Sequence, residues 1–94
     1  MTRNHIRADI LQEEYGGFRA LIPGDQQLPR SYGEWMKRCE KEDAATEVLG
    51  ETVQKVIVYL TDFTEYCQTT GQPVSYRGIE VTAEAKRWGW KQKV

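Results

Sequence analysis

The sequence predicts a small α+β domain in which an N-terminal β-hairpin and a central strand form a sheet packed by two to three helices. Three stretches carry that expectation. "EEYGGFRA" has a paired glycine between two mixed runs, "SYGEWMKRC" opens with a helix-capping pattern, and "VQKVIVYL" is rich in β-branched residues. Ninety-four residues make one domain, long enough to bury a modest core.

Gly16-Gly17 fits the two central positions of a type I′ turn, both of which need positive φ. The hairpin register places Tyr15 opposite Phe18, Leu11 opposite Ile22, and Glu14 opposite Arg19 as an ion pair. A helix over residues 6–15 with Gly16 as its cap is the competing reading. "PGDQQLPRS" is a loop by its prolines and glycine. Ser31 and Glu34 then form an S-x-x-E capping box for a helix over 31–47. Tyr32, Trp35, Met36 and Cys39 fall on one side of it, a core-facing stripe. The run 52–60 is a strand. Val56, Val58 and Leu60 lie on one face and Val53, Ile57 and Tyr59 on the other, so either both faces are covered or one meets a partner.

Asp62 and Glu65 repeat the capping pattern for a helix over 62–70, with Phe63, Tyr66, Cys67 and Thr70 on one face and Gly71 as the terminator. In the last part, "GIEV" reads as a short edge strand. Thr82 caps a short helix through "AEAKRW" that stops at Gly89, and residues 91–94 fray. The resulting order is β-β-α-β-α.

Net charge is −1, which excludes whole-protein attraction to nucleic acid or an anionic membrane. Charge is uneven, however. Residues 72–94 hold five basic side chains against two acidic ones, a balance of +3, while the other 71 residues carry eight against twelve, −4. No apolar run approaches the roughly 18 residues of a membrane span. The opening "MTRNHIRADILQ" lacks the apolar centre of a secretory leader. With only two cysteines besides, a cytoplasmic protein with free thiols is expected.

The tail "AKRWGWKQKV" holds the candidate site. Tryptophan and arginine are the residue types enriched at interface hot spots, so Arg87, Trp90, Lys91 and Lys93 are the expected partner-binding residues. The bland alternative packs Trp88 into the core. The same tail, with Lys86 included, also has the chemistry of a single-strand nucleic-acid grip, since indoles stack on bases and cations neutralise phosphates. Cys39 and Cys67 lie on apolar helix faces far from the lone His5, so neither has an activating base, and no catalytic residue is expected. No metal-binding spacing or phosphate loop occurs, so neither metal nor cofactor is expected.

Pro29, Tyr32 and Trp35, then Val56 and Val58, then Phe63, Tyr66, Cys67 and Gly71 give a layout that resembles small uncharacterised bacterial proteins, some carried on phages or mobile elements. The likeness covers about half the chain. It implies a cytosolic accessory protein and identifies no site. The function expected is a non-enzymatic protein-interaction module, a small regulator or inhibitor binding its partner through the tryptophan-rich basic end. A homodimer is one form that partnership can take. The alternative is a nucleic-acid-binding accessory protein.

Overall fold

The computed structural model describes residues 4–90. Two strands and four helices follow the order β1 (Asn4–Asp9), α1 (Gln12–Leu21), α2 (Tyr32–Val48), β2 (Thr52–Ile57), α3 (Leu60–Thr70) and α4 (Tyr76–Arg87). The α+β class stands, but the hairpin does not. β1 and β2 pair in parallel, Asn4 with Thr52 through Asp9 with Ile57, so α1 and α2 together form the crossover.

The glycine pair sits inside α1. A helical turn brings Tyr15, Phe18 and Ile22 to one side as readily as the hairpin register does. All three are buried in the core. Two interior glycines cost a helix about 1 kcal/mol each. Burial of two aromatic rings outweighs this. Gly17 also makes room for a neighbour: a Cβ there would stand 2.7 Å from Leu60 Cδ2, at the start of α3. The expected Glu14–Arg19 pair is replaced by two tertiary contacts. Glu14 Oε1 accepts from the Leu60 backbone N–H at 3.0 Å, and Arg19 donates to the Leu28 carbonyl at 3.0 Å.

α2 begins as its sequence indicates, with the Ser31 hydroxyl accepting from the Glu34 N–H at 3.1 Å. Trp35 and Cys39 are buried, and Tyr32 and Met36 pack partly buried beside them. β2 is shorter than expected. It ends at Ile57 because Tyr59 caps α3: Asp62 is the third residue of that helix, and its carboxylate accepts from the Tyr59 N–H at 3.1 Å. Phe63 and Cys67 face the core, and Gly71 terminates the helix at φ 77°.

The last helix differs most from expectation. α4 starts at Ser75, whose hydroxyl accepts from the Gly78 N–H at 3.2 Å, and runs through the segment read as an edge strand. Thr82 lies inside it, buried, with its hydroxyl turned back to the Gly78 carbonyl at 2.8 Å. The expected fraying of 91–94 lies outside the described residues.

Gly78 is where α4 meets the α3–α4 turn. A Cβ there would stand 2.6 Å from the Pro73 carbonyl oxygen and 3.1 Å from Phe63 Cε1. Gly78→Ala is therefore expected to destabilise the fold by about 1–3 kcal/mol, despite alanine's better helix propensity. Urea unfolding measures this, and a stabilised variant would contradict the packing described.

Candidate functional site

The site is built from the end of α4 and the outer edge of β2. Ile79 and Ala83 are fully buried, which fixes the phase of α4. Four residues on from Glu84 and eleven from Arg77, both exposed, Trp88 falls on the solvent side. It is 79% exposed. Trp90 goes the other way because of how the helix ends. Gly89 adopts φ 107°, its N–H bonds to the Lys86 carbonyl at 3.1 Å, and the Trp90 N–H bonds to the Ala85 carbonyl at 2.9 Å. This is a Schellman closure, which turns the chain back along the helix. It brings the half-buried Trp90 against Tyr66, edge to face, with centroids 5.1 Å apart.

The two tryptophans thus take opposite roles. Trp90, one of the expected binding residues, packs against α3, and Trp88, the candidate for the core, is exposed. Starting α4 at Ser75 is the signal that separates them, since only the longer helix sets their phase.

Lys86 and Arg87 in the last turn oppose the negative end of the α4 dipole. Each also reaches towards β2. Lys86 Nζ donates to Asp62 Oδ2 at 2.6 Å and to the Ile57 carbonyl at 2.7 Å, and it stands 4.9 Å from the centre of the Tyr59 ring. Arg87 Nε donates to Gln54 Oε1 at 2.9 Å, while its guanidinium lies 5.6 Å from the Trp88 ring centre. Ile57 and Tyr59 are exposed beside them. These residues border a groove of about 430 Å³ on β2. Lys91 and Lys93 lie outside the described residues.

The thiols are set apart from this site. Cys39 and Cys67 are both free and buried, and desolvation pushes both above the ordinary thiol range. A thiol with a raised pKa holds little thiolate near neutrality and is a poor nucleophile. Among the described residues no group of three His, Cys, Asp or Glu side chains is placed to hold a metal ion. Among them also, no helix is long and apolar enough to cross a membrane. No family model, curated protein or solved structure matches the chain.

Proposed function

We propose that this chain is a cytoplasmic protein-binding module, a small regulator or inhibitor that acts by contact rather than catalysis. Its contact surface is the C-terminal end of α4 with the adjoining edge of β2. The observation that carries the reading is the 79% exposure of Trp88 beside Arg87, with Ile57 exposed at the end of the strand that Arg87 touches and Tyr59 exposed at the cap of α3 that follows it. An indole left in water at the end of an ordered helix is available apolar area, and tryptophan and arginine are both residue types enriched at hot spots. A nucleic-acid grip is less well served. Lys86 is already engaged by a carboxylate, Arg87 by a side-chain amide, and the whole chain is net negative.

The test is capture from nuclease-treated host lysate, identification of the retained protein, and titration of that protein in purified form. Trp88→Ala is expected to weaken the complex by about 2 kcal/mol, roughly 30-fold in Kd. Its thermal unfolding should match that of the parent chain, because the ring is in solvent. A variant that binds its partner with undiminished affinity, or capture of nucleic acid alone, refutes the proposal.

A further inference from the structure

β2 is the less covered of the two strands. None of its six residues is buried, whereas β1 buries Arg7 and Ala8, and α4 packs chiefly against β1. Among the described residues the sheet has two strands, and β2 presents its outer edge without a strand beside it. The groups on that edge follow from the ladder. Val58 N–H bonds to the Asp9 carbonyl at 2.9 Å, and in a parallel pair backbone direction alternates residue by residue. Val56 and Gln54 therefore also turn their N–H and C=O towards β1, and Val53, Lys55 and Ile57 turn theirs outward. The Ile57 carbonyl is occupied by Lys86. Among the described residues, the outward N–H groups of 53, 55 and 57 and the carbonyls of 53 and 55 form a row at strand spacing with no backbone partner.

The groove along this row is lined by Lys55, Lys86 and Arg87 together with Gln54, Val56, Ile57 and Tyr59, with no aspartate or glutamate among the described residues that line it. Asp62 balances Lys86, so Lys55 and Arg87 set the charge of the groove. From this row and this charge we infer that β2 accepts an extended acidic segment of the partner protein as a third strand. The backbone supplies the pairing, Lys55 and Arg87 attract carboxylates, and Ile57 takes an apolar side chain. This rests on the protein-binding reading above and names the kind of segment bound. A second copy of this chain is a poorer occupant, because two β2 edges would bring like charges together.

The probe is the acetylated, amidated peptide Glu-Val-Glu-Ile-Glu-Val-Glu, titrated into the ¹⁵N-labelled full chain alongside the same peptide with lysine for glutamate. Amide exchange at Val53, Lys55 and Ile57 is expected to slow at least about 10-fold, with Gln54 and Val56 unchanged because they are already paired. The acidic peptide is expected to bind at least about 10-fold more tightly than the basic one. Lys55→Pro removes an outward N–H that β1 does not use, so it should abolish binding, while Lys55→Ala should weaken it only about 3-fold. If the proline variant does not fold, the exchange pattern of the parent chain decides. Absence of binding at about 1 mM peptide, binding without slowed exchange at those three amides, or a self-associated chain that protects them without peptide overturns strand addition. A Trp88→Ala defect towards the captured partner would still stand in each case, so the two readings fail separately.

Discussion

Trp35→Ala is expected to destabilise the protein by about 4 kcal/mol, the largest single effect of any substitution considered. The indole is completely buried. Its ring centre lies 5.9 Å from that of Tyr15 and 5.7 Å from that of Tyr32, and the Arg7 guanidinium stands 5.9 Å away over the ring. Its Nε1–H donates to the Tyr76 hydroxyl at 3.1 Å, which ties α2 to the first turn of α4. Alanine leaves a cavity where β1, α1, α2 and α4 meet and takes away the donor facing a buried phenol. A domain of this length has roughly 5–14 kcal/mol of total stability, so the change removes a large part of it. The melting temperature should fall by about 15–30 °C. Trp35→Phe keeps most of the packing and loses only the N–H, at a cost of about 1–2 kcal/mol. Circular dichroism melts of the two variants separate packing from hydrogen bonding. A drop below about 5 °C for the alanine variant would mean that Trp35 is not the centre of the core.

Asp43→Ala comes second. Arg7 belongs to β1 and is only 8% exposed, an unusual place for a guanidinium. Its Nε donates to the Asp43 carboxylate at 3.0 Å, its Nη1 donates to the Ala8 carbonyl at 3.2 Å, and Asp9 lies 3.7 Å away. Removing Asp43 strands a buried cation with Asp9, 3.7 Å away, as the carboxylate left to oppose it among the described residues, which should destabilise the fold by about 3 kcal/mol. The mechanism predicts its own rescue. The double variant Arg7→Met with Asp43→Leu replaces the pair with apolar groups of similar volume and should recover most of that loss. Urea unfolding of both single variants and the double closes the cycle. If Asp43→Ala alone shifts stability by less than about 0.5 kcal/mol, water reaches Arg7 and the pair is a surface one in energetic terms.

Where local chemistry and tertiary packing agree, the sequence was legible. Ser31, Glu34 and the Tyr32–Trp35–Met36–Cys39 stripe all point to one helix with one buried side, and that helix formed. Phe63, Cys67 and Gly71 were read correctly for the same reason. Gly16-Gly17 misled because it has a strong turn propensity, while the force that decides the segment is burial of Tyr15, Phe18 and Ile22 against elements far along the chain. Nothing local announces that β1 waits for β2. α4 was hidden by its own cap: Ser75 is followed at the third helical position by glycine rather than glutamate, so the capping-box pattern is absent. That omission carried into the site. With the helix begun at Thr82, Trp88 and Trp90 had no phase, and the exposed ring could not be told from the packed one. The contribution of β2 to the same surface was legible only as an excess of apolar residues on both faces.

The parallel ladder also governs how the chain reaches its native state. Every β1–β2 partner is 48 residues away. Closing a loop of that length costs roughly 3–4 kcal/mol of chain entropy before the first strand contact forms. Helices α1 and α2 lie wholly within the loop and need no such closure, since their hydrogen bonds are local. During synthesis β1 leaves the ribosome first and has no strand partner until Thr52–Ile57 follows. The two helices between them shorten the span to be closed, so the segment that defeated the hairpin reading is also what brings the two strands within reach.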